Sequence, residues 1–211
     1  MLDVSGSMHG EKIGELNFAI REALPHMRDS AEDNPHAAVE VRAMTFGTGA
    51  RWMTPNPVPL DDFSWTDVSV NGITDMGAAL KMMARELSVG NMPDRGLPPV
   101  IVLVSDGQPT DDFTSGLTEL MNQPWGKRAV RIAIGIGEDA DLDVLRKFIA
   151  HPEIEPLRAR NSGDLTAFIK YASTVVLKSA SSPASQQVGS TLTGTPPPPP
   201  PPPAVDDDQV W

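Results

Sequence analysis

The chain has no cysteine among its 211 residues. Disulfides and thiolate metal sites are therefore excluded, and the composition suits a reducing cytosol. No apolar run approaches the roughly 20 residues that a membrane-spanning helix needs. Basic residues are scarce: 17 Lys and Arg stand against 28 Asp and Glu, for a formal net charge of −11. Nucleic acid and anionic membrane surfaces are poor partners for such a chain, because neutralising phosphates takes clustered cations. The four histidines lack zinc-ligand spacing. There is no Gly-rich loop ending in Lys-Ser/Thr to cradle phosphates, no discernible Ser-His-Asp grouping, no internal repeat and no visible signal peptide.

What is present begins at once. Asp3-Val4-Ser5-Gly6-Ser7 sets a carboxylate and two hydroxyls at alternate positions of one short loop. Hard divalent cations such as Mg²⁺ take oxygen ligands at about 2.1 Å in near-octahedral geometry. A loop this short can supply one edge of that shell. Two further loops carry oxygen donors. Asn71-Gly72-Ile73-Thr74-Asp75-Met76-Gly77 precedes a helical pattern, and Ser105-Asp106-Gly107-Gln108-Pro109-Thr110-Asp111 follows the apolar run Val100 to Val104. A carboxylate at the end of a buried strand lies where open α/β sheets bind ligands.

Periodicity supplies the frame. Ile13, Leu16, Ile20, Leu24 and Met27 predict an amphipathic helix from Glu11 to about Ser30, which Pro25 should kink or split. Alternation from Val39 to Phe46 predicts one strand with a more exposed face. Gly47-Thr48-Gly49 is a turn, Arg51 to Met53 an edge strand, and Pro55, Pro57 and Pro59 should end pairing. Further helices are expected at 76–87, 111–121, 141–149 and 164–177, a turn at 94–99, and strands at 100–104, 130–136 and 157–159. Strands alternating with helices predict an α/β fold: a doubly wound, mostly parallel central sheet flanked by helices. Beyond the domain at 1–177, residues 178–195 read as a flexible linker. Residues 196–203 are eight prolines, an extended rod of about 25 Å, and the tail ends Asp206-Asp207-Asp208-Gln209-Val210-Trp211.

The three loops together resemble the metal-ion-dependent adhesion site of von Willebrand factor A (vWA) domains, over about residues 1 to 175. The stretch SGSMHGE before a helix looks most like the bacterial TerY-type branch associated with tellurium resistance. The resemblance implies that Ser5 and Ser7 ligate a metal directly. Thr74 would ligate directly or through water, and Asp3 and Asp106 would hold metal-bound waters. It implies Mg²⁺, with Mn²⁺ or Ca²⁺ as alternatives, and a vacant position completed by a partner's Glu or Asp. The expected protein is a non-enzymatic, cytoplasmic interaction module of a bacterial stress or metal-resistance system, with kinase or phosphatase partners. In that fold the metal-site aspartate ends the central first strand. Only Met1 and Leu2 precede Asp3, so that strand is expected to be largely missing, from an incorrect start or a fragment.

Several residues carry a second reading. Asp75 is expected to cap the helix near Met76, and Asp111 and Asp112 to start the next one. His9 reads as an exposed loop residue. Trp65 reads either as an aromatic anchor beside the ion or as packing on the domain edge. The acidic tail could occupy the site of its own or a neighbouring molecule. The rival function is a metal-dependent hydrolase or phosphatase with Asp3 as nucleophile.

Overall fold

The computed structural model describes residues 1–32, 38–92 and 96–181, with side chains through residue 172. Eight strands and six helices alternate along them. The first half holds β1 (Leu2–Asp3), α1 (Glu11–Glu32), β2 (Glu40–Val41), β3 (Met44–Gly47), β4 (Gly49–Trp52), β5 (Val58–Pro59) and α2 (Met76–Glu86). The second half holds β6 (Val100–Ser105), α3 (Phe113–Asn122), α4 (Pro124–Arg128), β7 (Val130–Ile136), α5 (Leu142–Ile149), β8 (Leu157–Ala159) and α6 (Ser162–Ser181).

Six strands form the central sheet in the order β4-β3-β1-β6-β7-β8, and only the β3–β4 pairing is antiparallel. The fold class read from the alternation of elements is the one observed. β1 is two residues long, as expected, yet it lies between β3 and β6. Leu2 pairs with Thr45 on one side and Val104 on the other. The chain leaves β1 toward β3 and later crosses to β6, so the strand order reverses at β1. In open α/β sheets this reversal opens a crevice at the carboxyl ends of the strands, and Asp3 and Asp106 sit there.

Alternating side chains divide the core into two layers. Leu103 and Ala133 face the layer filled by Met76, Leu80, Leu120, Leu145 and Phe148. Val104 and Ile134 face the opposite layer, with Leu16 and Ala19 of α1 and Leu165 and Phe168 of α6. Burying each large aliphatic or aromatic side chain is worth about 1.5–3 kcal/mol, which overrides local propensity at several points. α1 continues through Pro25 without a break. Two glycines let α2 and α3 approach to backbone contact: a Cβ on Gly116 would stand 2.5 Å from the Gly77 carbonyl oxygen.

Several local expectations need correction. The single strand over 39–46 is two short strands, and β3 is buried on both faces rather than one. The prolines do not end pairing, because Val58–Pro59 forms an antiparallel ribbon with Glu40–Val41. Proline can occupy a ribbon edge, where its missing N–H is not needed. Finally, α4 begins at Pro124, a favoured first helical residue, and the sequence reading passed over it. α6 runs to Ser181, beyond the expected helix end at 177. The turn expected at 94–99 lies partly outside the described residues. The rest of the expected linker and the whole proline-acidic tail lie outside them entirely.

Candidate metal centre

Asp3 ends the short central strand and is fully buried. Its Oδ1 accepts the Ser5 backbone N–H at 2.8 Å and its Oδ2 accepts the Ser105 hydroxyl at 2.5 Å. Burial raises the Asp3 pKa most. The Ser105 and Ser5 hydrogen bonds pull it back, and the negative charge of Asp106 raises it again. Asp106, one residue past β6, is also fully buried. Its Oδ1 receives a long contact from the Gln108 backbone N–H at 3.4 Å, while its Oδ2 is enclosed and has no hydrogen-bond partner. Two buried carboxylates thus stand close enough to repel each other, with no ion pair to either among the described side chains. Burying charge in this way is costly unless something positive joins it.

The hydroxyls come from the flanking loops. After Asp3 the chain makes a single 3-10 turn over Gly6–Met8. The Ser5 and Ser7 Oγ atoms lie 3.0 Å apart; Ser5 is buried and Ser7 exposed. The second loop is clasped to the first by backbone alone. Gly6 donates to the Gly72 carbonyl at 2.7 Å, and Asn71 donates to the Val4 carbonyl at 2.6 Å. Gly72 has a φ of +68°, and a Cβ there would meet the Thr48 hydroxyl at 1.8 Å. Glycine is therefore required on both counts. Thr74, only 5% exposed, is locked to the third loop by reciprocal bonds. Its N–H donates to the Thr110 hydroxyl at 3.0 Å, and its carbonyl accepts the Thr110 N–H at 2.9 Å. The fold thus fastens together the three loops that bear Asp3, Ser5, Ser7, Thr74 and Asp106, which are far apart in sequence.

This donor set is rich in hydroxyls and poor in carboxylates. Among the described residues, no three His, Cys, Asp or Glu side chains converge as a metal site. Asp3, with both oxygens engaged and no exposure, is poorly placed to attack a substrate. A hard divalent cation fits the oxygen chemistry and would relieve the paired negative charge.

The family model for the von Willebrand factor type A domain matches residues 1–175. The chain belongs to the vWA family. Solved vWA-like structures share its fold at low identity. A von Willebrand factor type A protein from Catenulispora acidiphila is 19% identical with a TM-score of 0.61, covering 85% of this chain and 41% of that one. Proximal thread matrix protein 1 from the mussel byssus, solved with a zinc-occupied MIDAS motif, is 17% identical with a TM-score of 0.55, covering 83% of this chain and 46% of that one. Manganese-loaded TRAP protein of Plasmodium vivax is also 17% identical, with a TM-score of 0.57, covering 81% of this chain and 70% of that one. Human inter-alpha-trypsin inhibitor heavy chain H6 is 27% identical over 155 residues, which cover 70% of this chain and 12% of that protein. The chain therefore spans about an eighth of the curated relative it matches. No helix among the described residues is long and apolar enough to cross a membrane.

Within the vWA domain, two aspartates depart from their expected roles. Asp75 does not cap α2 with its side chain; its Oδ2 accepts the Gly49 N–H at 2.7 Å and fixes the β3–β4 turn. Asp111 caps α2 instead, accepting the Gly77 and Ala78 N–H groups at 2.7 Å each. Asp112 caps α3 through the Ser115 N–H, as a helix-start residue should. Trp65 packs on the domain edge, its Nε1 donating to Asn17 Oδ1 at 3.2 Å. His9 is exposed. The sequence reading missed Ser105 and Thr110 as supporting residues. Both lie in the third loop already marked by Asp106-Gly107, so the signal was hydroxyls flanking a strand-end aspartate.

Proposed function

We propose that the chain is a metal-dependent protein-interaction module. Asp3, Ser5, Ser7, Thr74 and Asp106 hold one divalent cation, Mg²⁺ by preference and Mn²⁺ or Ca²⁺ as substitutes. When bound, the cation supplies a hard Lewis-acid position that attracts a Glu or Asp carboxylate of a partner protein. The carrying observation is the enclosed, unpartnered Oδ2 of Asp106 in the same crevice as buried Asp3. The chain's own work is to hold this arrangement rigid. Ser105 orients Asp3, Thr110 fixes Thr74, and the Gly6–Gly72 contact keeps the first two loops in register. Because hydroxyls outnumber carboxylates, a bound cation keeps much of its positive charge for the incoming acid. The zinc-occupied MIDAS motif of proximal thread matrix protein 1 and the manganese of TRAP protein support a divalent ion in a domain of this fold.

The finer setting extends this reading. A TerY-like bacterial stress or metal-resistance complex, a cytoplasmic location and a kinase or phosphatase partner rest on the first-loop sequence SGSMHGE. The test is pull-down of partners from the source cell with and without EDTA, alongside Thr74→Ala. Capture lost in both, with the circular dichroism of the variant unchanged, supports the proposal. Capture indifferent to EDTA overturns it.

A further inference from the structure

The second loop contains an Asn-Gly pair, Asn71-Gly72. Asn71 is exposed, and its side chain makes no hydrogen bond among the described residues. The Gly72 N–H donates to nothing there either. A free side-chain amide thus neighbours a free backbone N–H, on a residue with no side chain to shield it.

Every other asparagine lacks one of these conditions. Asn34 and Asn56 precede prolines, which have no N–H. The Asn17 amide is engaged at both ends, by the Val68 backbone and Trp65. Asn91 Nδ2 donates to the Arg85 carbonyl at 2.8 Å, and Asn161 Oδ1 accepts the Asp164 N–H at 2.8 Å. Asn122 ends α3, and the N–H of the following Gln123 is spent on the Leu120 carbonyl at 3.1 Å.

We propose that Asn71 is a site of spontaneous deamidation, and that its isoaspartyl product unfastens the second loop from the first. The Gly72 backbone nitrogen attacks the Asn71 Cγ, closing a five-membered succinimide. The side-chain amide nitrogen leaves as ammonia and carries the Gly72 proton with it. One water then opens the ring. Cleavage at Cγ gives aspartate; cleavage at the main-chain carbonyl gives isoaspartate, with the chain routed through Cβ and Cγ.

That route places one extra methylene in a segment with no slack. The Asn71 N–H is held by the Val4 carbonyl at 2.6 Å, its carbonyl by the Thr48 N–H at 3.0 Å, and the Gly72 carbonyl by the Gly6 N–H at 2.7 Å. The Asn71 carbonyl also packs against Gly47, where a Cβ would stand 2.0 Å from its oxygen. The added length puts the bonds to Val4 and Gly6 out of register. The same bonds hold the unmodified backbone, so reaction proceeds from brief openings of the loop.

The full chain is held in warm, mildly alkaline buffer until its first asparagine converts. Proteolytic peptides are read by mass spectrometry, and isoaspartate is scored with isoaspartyl methyltransferase. Asn71 is expected to convert first, with isoaspartate among its products. Asn71→Gln, whose cyclisation needs a larger ring, should show no gain at that position. Earlier conversion of another asparagine, or a gain at Asn71 without isoaspartate, overturns the proposal.

Ion exchange then resolves the converted forms. The aspartyl form is the control, with the same added charge and no added methylene. The isoaspartyl form should melt at a lower temperature and take up Mg²⁺ about tenfold more weakly, the scale of a lost hydrogen bond. An isoaspartyl form that melts and takes up Mg²⁺ like the aspartyl form overturns the unfastening. The Mg²⁺ readout rests on the function proposed above. If the unmodified chain takes up no Mg²⁺, that function fails alone, because the order of conversion and the melting temperatures are read without metal.

Discussion

Two buried charges in this domain have opposite fates. Arg131 lies within β7, 8% exposed. Its Nε donates to the carbonyls of Phe148 and Ile149 at 3.0 Å each, and its Nη1 to those of Gly126 and Ala129 at 2.9 and 3.3 Å. It thereby ties the ends of α4 and α5 to the sheet. Burial lowers its pKa, but its hydrogen-bonding needs are met within the chain. Asp106 lies one residue past β6, fully buried, with one oxygen weakly engaged and the other alone. The difference separates structure from function. A buried charge satisfied by its own fold is a staple; one left unsatisfied beside a like charge is what the proposed cation would relieve.

The comparison can be broken at several points. Arg131→Ala strips four buried carbonyls of their donor, and should cost about 3 kcal/mol. Urea unfolding should show the midpoint fall with little change in slope; a loss below about 1 kcal/mol would mean the staple is dispensable. Asp106→Asn should act in the opposite direction. In EDTA it removes one of two facing charges, and should stabilise the domain by about 1 kcal/mol. The same variant should lose the Mg²⁺-induced rise in melting temperature that binding to the native state confers. Marked destabilisation in EDTA would mean that Asp106 is a structural residue like Arg131.

The smallest effect belongs to the surface. Lys12 holds the Asp139 carboxyl below its ordinary range, chiefly through their hydrogen bond. A lowered carboxyl stabilises the fold above the unfolded pKa of about 3.8, and this contribution fades as pH falls through the folded value. The pair is largely solvent-exposed, so Lys12→Ala should cost no more than about 0.5 kcal/mol at neutral pH. The cost should shrink as the pH falls below about 3.8 and vanish once the Asp139 carboxyl is protonated in the folded state. A larger, pH-independent loss would point to packing of the lysine stem instead.

Much of the fold was legible because period and strand length agree locally. The apolar run from Val100 and the segment 130–136 could be little else than buried strands, and β7 has the predicted bounds. The candidate loops stood out because Asp3 and Asp106 sit where strands end. What local pattern could not supply was which neighbour each polar group would meet. Asp75 and Asp111 are both aspartates at helix starts; the close approach of Gly77 to α3 decides which of them caps α2. The interior of Arg131 was hidden for the same reason, since its four carbonyl partners come from the ends of two helices.

The central claim is that the three clasped loops bind one cation. Isothermal titration of the full chain with Mg²⁺ and Mn²⁺ tests it most directly, with Ser5→Ala and Asp106→Asn as controls of unchanged circular dichroism. The account predicts saturable uptake of one ion per chain in the wild type and none in either variant. Absence of uptake in the folded wild type, or uptake that both variants retain, would contradict it.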